Sequence, residues 1–70
     1  MKIISFDKNI YDTSSINQAV KDYINLAEIT VVEFPSKIVC RIKKCVHDEE
    51  LTVKEFGNHI INLMNSKGKL

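Results

Sequence analysis

Seventy residues make one small domain, residues 1–70, and a chain this short buries only roughly 60% of the surface its unfolded form exposes, which excludes a deep substrate cleft. A composition that is 44% hydrophobic and 27% charged, with two glycines and one proline, argues against disorder and low complexity, although a core this thin also fits a chain that folds only on meeting its partner. Ten basic against nine acidic residues leave a formal charge of +1, so no global field draws the chain to nucleic acid or anionic lipid, and an electrostatic partner has to be met by a local patch.

The chain opens on Met1-Lys2-Ile3-Ile4-Ser5-Phe6-Asp7, whose apolar stretch is too short for a signal peptide. Lys2 to Phe6 reads instead as a strand, with Ile4 and Phe6 on one face and Ile3 and Ser5 on the other. A loop follows to Thr13. Ser, Thr and Asp crowd positions 12 to 15, where side-chain oxygens accept from the unpaired amides of a helix start. Ile16, Ala19, Val20, Tyr23, Ile24 and Ala27 then recur at steps of three and four. That spacing predicts a first helix with these residues inward and Asn17, Gln18, Lys21 and Asp22 in water.

Ile29 to Phe34 is rich in β-branched residues and closes at Pro35-Ser36. Lys37 to Cys45 then alternates, with Ile38, Cys40 and Ile42 on one side and Lys37, Val39, Arg41 and Lys43 on the other, which predicts a hairpin. Thr52 and Glu55 have capping-box spacing and Leu51 and Phe56 that of a hydrophobic staple, marking a second helix that runs to about Ser66. Its inward stripe is Val53, Phe56, Ile60, Leu63 and Met64, and Gly68 stands where a left-handed residue would stop it. The order β-α-β-β-α, with a right-handed crossover and the third strand between the other two, predicts an α+β fold. It has a three-stranded antiparallel sheet in order 1-3-2, two helices packed on one face and the other face open.

If the third strand continues to Cys45, the two cysteines lie roughly 17 Å apart, and a disulfide needs Cα atoms within about 7 Å. Nothing from Arg41 to Lys44 is a turn former, so reduced thiols and a cytoplasmic location are expected. No run of about eighteen apolar residues calls for a membrane. Cys45-x-His47, with Cys40 and His59, offers sulfur and nitrogen ligands, but the spacing matches no paired zinc pattern. Cys40 reads as a core residue and His59 as a flank of the second helix, so no metal and no cofactor is expected. Cys45 and His47 are also the one thiol-base pair available. Without a glycine-rich oxyanion turn they carry no catalytic assignment, and the protein is expected not to be an enzyme. Asp48-Glu49-Glu50 precedes a helix, where negative charge favours the dipole.

Two surface features remain. Lys37, Arg41, Lys43 and Lys44 cluster on or beside the outward face of the third strand, where phosphates are neutralised in nucleic-acid binding. RNA-binding sheets also present aromatics there, and this face offers Val39 and Ile3, so nucleic acid is the second reading. The other feature is the edge strand Glu28-Ile29-Thr30-Val31-Val32-Glu33-Phe34, which has no lysine, proline or glycine to discourage pairing. Either a second copy or an extended peptide pairs there. The expected partner-binding residues are therefore Ile29, Val31 and Val32 on the edge strand, with Lys37, Val39, Arg41 and Lys43 on the outward face.

Phe6-Asp7 followed by Ile10-Tyr11, the helix Ser15-Ile16-Asn17-Gln18-Ala19-Val20 ending near Tyr23, and Glu55-Phe56-Gly57-Asn58-His59-Ile60-Ile61-Asn62 together resemble the HxsD-like family over most of the chain. Two positions depart from that pattern: Asn62 stands where an acidic residue is expected, and Gly57 where a larger one is usual. The resemblance implies a small accessory protein of the His-Xaa-Ser system. Such a protein works beside a radical-SAM enzyme that modifies a ribosomally made precursor peptide, and it would bind the enzyme, the peptide or both.

Overall fold

The computed structural model describes residues 1–68. Its elements are β1 (Lys2–Asp7), α1 (Thr13–Asp22), β2 (Glu28–Glu33), β3 (Lys37–Lys43) and α2 (Glu49–Ser66). β3 lies between β1 and β2 and is antiparallel to both, giving the expected order 1-3-2. The register puts Ile4, Cys40 and Val31 in one row across the sheet and Ser5, Val39 and Val32 in the next. Because successive side chains of a strand point to opposite faces, such rows alternate between the helical side and the open side.

The core forms where the inward rows meet the two helices. Phe6, Ile38, Cys40 and Ile42 from the sheet pack with Ile16 and Ala19 of α1 and with Phe56, Ile60 and Met64 of α2. Phe56 is the hub. Its ring meets Phe6 at 6.2 Å and Tyr23 at 5.4 Å between centroids, both edge-to-face, and Phe6 meets Tyr11 the same way at 5.0 Å. That arrangement sets the positive edge of one ring against the negative face of another. Polar ties at the rim hold α1 against α2. His59 Nε2 lies 2.7 Å from Asp22 Oδ2, and Lys67 Nζ donates to Ser14 Oγ at 3.2 Å. Hydrogen bonding with His59 holds the Asp22 carboxyl below the usual carboxylate range.

Both helices begin on an aspartate. Asp12 Oδ2 accepts from the Ser15 amide and from the hydroxyls of Ser14 and Ser15, which explains the polar cluster at the start of α1. The second start lies one turn earlier than the expected Thr52–Glu55 box. Asp48 is the cap, its carboxylate accepting from the Leu51 amide at 2.9 Å, while the Thr52 hydroxyl donates back to the Asp48 carbonyl at 2.8 Å. Leu51 is thus inside the helix and largely exposed rather than stapled to Phe56. A cap of this kind contributes about 1 kcal/mol, and Glu49 and Glu50 in the first turn add favourable charge.

Two further boundaries differ from expectation. α1 stops at Asp22, and the Ile24 amide bonds the Lys21 carbonyl, three residues back, so the chain tightens into a turn that leaves Ile24 75% exposed. β3 stops at Lys43, because Lys44 takes a left-handed conformation with φ 53° and turns Cys45 and Val46 out of the strand. Gly68 does adopt the left-handed φ, at 68°, just past the end of α2. Gly57 lies mid-helix with nothing within 4 Å of where a Cβ would stand. Gly57→Ala is therefore expected to stabilise the fold by about 0.5–1 kcal/mol, by restricting the unfolded chain. At about 4–8 °C per kcal/mol for a domain of this size, a thermal melt resolves it.

Candidate functional site

The hairpin turn fixes which side of β2 each backbone group faces. The Phe34 amide donates to the Lys37 carbonyl at 2.8 Å, so Phe34 and Lys37 are a hydrogen-bonded pair. In an antiparallel ladder such pairs alternate with non-bonded ones. Val32, Thr30 and Glu28 consequently bond β3, while the amides and carbonyls of Ile29, Val31 and Glu33 point away from it. Within the sheet β2 has β3 as its one neighbour, which leaves these groups on an open edge. The acidic residues at its ends are engaged elsewhere: Glu33 with Lys8, and Glu28 with Lys43 and Lys44 at 3.6 and 3.4 Å. Hydrogen bonding to Lys44, helped by the charges of Lys44 and Lys43, holds the Glu28 carboxyl below its usual range.

β1 is the other edge, and it is less free. The Asp7 carbonyl already accepts from the Ile10 and Tyr11 amides, and the Asp7 carboxylate accepts from the Asn9 amide.

Beside the start of β2 lies a groove of about 530 Å³. Val20 and Ile24 line it from α1 and the turn after it, Ala27 and Ile29 from β2 and its approach, and Val46 from the far side. Its polar margin is Lys21, Asn25, Glu28 and Lys44. The left-handed Lys44 and a bond from the Val46 amide to the Leu26 carbonyl, 2.9 Å, carry Val46 across to complete the wall. Ile24 and Val46 are 75% and 65% exposed, so the groove presents apolar surface to water on the helical side of the β2 edge. Among the expected residues, Ile29 belongs to it, and Val20, Lys21, Ile24 and Val46 are additions.

The remaining expected residues split between two faces. Ile29 and Val31 turn their side chains toward the core, half-buried, and contribute main chain to the edge. Val32, Lys37, Val39, Arg41 and Lys43 share the open face, where row Ile3–Arg41–Thr30 runs beside row Ser5–Val39–Val32. Phe34 joins this face, 44% exposed, with Lys37 Nζ 5.4 Å above its ring. The Arg41 side chain makes no hydrogen bond or ion pair among the described residues, while its backbone is held in the ladder opposite Thr30.

Cys40 is fully buried, and burial pushes its thiol up to about 11, which keeps it protonated and unreactive. Cys45 is half-buried against the core, and neither cysteine is in a disulfide. Alkylation of the native protein is expected to label Cys45 well before Cys40. Mass spectrometry should show a single adduct in buffer and a double one in denaturant. Among the described residues no three His, Cys, Asp or Glu side chains converge to hold a metal, and no helix is long and apolar enough to cross a membrane.

The chain matches no protein-family model, and comparison with curated proteins and with solved structures finds no match.

Proposed function

We propose that this protein is a non-enzymatic cytoplasmic binding module that takes an extended segment of a partner protein as an added strand along β2. The observation that carries this reading is the open edge at Ile29, Val31 and Glu33, with an apolar groove beside it on the helical side. Main-chain hydrogen bonds supply affinity in strand addition, and pockets for alternate side chains supply selectivity. The resemblance to the HxsD-like family gives the segment a source. It is the precursor peptide, or a stretch of the radical-SAM enzyme that modifies it, and the module brings the two together.

Val31→Pro tests this, since it removes an edge amide that β3 does not use. Tagged protein purified from its source cells should recover the enzyme or peptide, and the folded Val31→Pro protein should not. Equal recovery by a folded Val31→Pro protein would exclude edge pairing.

The second reading, nucleic-acid binding on the open face, is favoured by the exposed Phe34 beside Lys37, Arg41 and Lys43. Lys37 Nζ stands 5.4 Å from the centroid of that ring, where it competes with a base for the same face. Nuclease-sensitive material co-purifying with the protein would promote it.

A further inference from the structure

We infer that the segment added to β2 carries an apolar side chain for the groove and, next to it, an acidic residue for Arg41. This rests on the edge-pairing reading and adds the chemistry of the occupant. A partner residue that exchanges hydrogen bonds with Ile29 projects its side chain to the same face as Ile29, and that face opens into the groove. The groove has room for a large aliphatic or aromatic group between Ile24, Val46 and Val20.

The adjoining partner residue falls opposite Thr30 on the open face, which extends the row Ile3–Arg41–Thr30 by one strand. By strand spacing it lies about 10 Å from the Arg41 Cα, and the intervening Thr30 is short. An arginine and a glutamate span that distance between them, and the guanidinium, without a partner among the described residues, has the fork that a carboxylate fits.

The wider field agrees. Although the chain is nearly neutral, Lys21 and Lys44 at the groove margin and Arg41 and Lys43 on the adjoining strand gather near the start of β2, and Glu28 pairs with Lys43 and Lys44 only. Acids such as Asp12, Asp48 and Glu49 are spent at helix starts elsewhere. An approaching acidic segment is steered to this edge and a basic one is repelled.

The experiment is a random nine-residue peptide library displayed on phage and panned on the full chain, with Ile24→Glu, Arg41→Glu and Val31→Pro proteins as comparisons. Ile24 and Arg41 are both exposed, so these two variants keep the fold, which circular dichroism verifies. Enriched peptides should place an acidic residue beside a large apolar one. Synthesised, they should bind Ile24→Glu and Arg41→Glu about tenfold more weakly or worse, each such factor being a single desolvated contact. Exchange of the acidic residue for lysine should restore binding to Arg41→Glu.

Peptides that need Val31 yet bind both charge variants normally would overturn this inference and leave edge pairing intact. Peptides indifferent to Val31→Pro, or none captured at all, would remove both. A concentration-dependent dimer that Val31→Pro abolishes would make a second copy the occupant and overturn the acidic-peptide assignment.

Discussion

Phe56→Ala is expected to leave the chain without a cooperative fold at room temperature. The ring is wholly buried and meets Phe6 of β1 and Tyr23, the residue that caps α1, so it joins β1, the end of α1 and α2 at one point. Truncating a buried phenylalanine costs about 3–5 kcal/mol, from lost burial and from the cavity left behind. Folded proteins hold only about 0.05–0.15 kcal/mol per residue, so a domain this small has a reserve of similar size. Loss of the sigmoidal thermal transition and collapse of amide dispersion in a proton–nitrogen spectrum are the readouts. A Phe56→Ala protein that melts near the native temperature would show that the aromatic cluster is not the centre of the core. Phe56→Leu, which keeps most of the volume, should still fold.

Proline at neighbouring positions of β2 should give opposite outcomes. Val32 bonds Val39 of the central strand, so Val32→Pro removes a ladder bond, leaves the Val39 carbonyl without its donor and is expected to cost about 1–3 kcal/mol. Val31 directs its amide to the empty edge, so Val31→Pro leaves the ladder whole and forfeits only part of a half-buried side chain's packing. Guanidinium titrations of the two variants side by side provide the measurement. Equal destabilisation would mean that the pairing parity set by the Phe34–Lys37 bond is wrong, and the orientation of the proposed binding edge with it.

Strand alternation was the most legible feature of the sequence. Ile38, Cys40 and Ile42 are buried and Lys37, Arg41 and Lys43 exposed, because period two leaves a strand no other way to bury three apolar side chains. Helical periodicity was less sufficient. Ile24 has the spacing of the α1 stripe, yet the helix has already ended, and neither glycine nor proline near it marks the stop. At α2 two valid start signals compete. Asp48 prevails because its carboxylate and carbonyl satisfy Leu51 and Thr52 together and gain another turn of helix.

The edge was readable as a segment, but not which of its residues offer side chains and which offer backbone. That division follows from the turn hydrogen bond alone. The groove had no signature in the sequence. Its walls come from separated segments, and they meet through the left-handed Lys44, a conformation that no glycine announced.

The placement of β3 governs the order in which the sheet can be made. It is the last strand to be synthesised, yet it is the one to which both others bond. On a ribosome β1 and α1 emerge with an unpaired backbone and an exposed apolar stripe, and they must wait until the hairpin of β2 and β3 has followed. That hairpin closes over the two-residue turn Pro35-Ser36, a local event, whereas docking β1 means closing a loop of nearly half the chain. During this interval the apolar strand Ile3-Ile4-Ser5-Phe6 has no native neighbour, and closure of the Pro35-Ser36 hairpin is the step that ends its exposure.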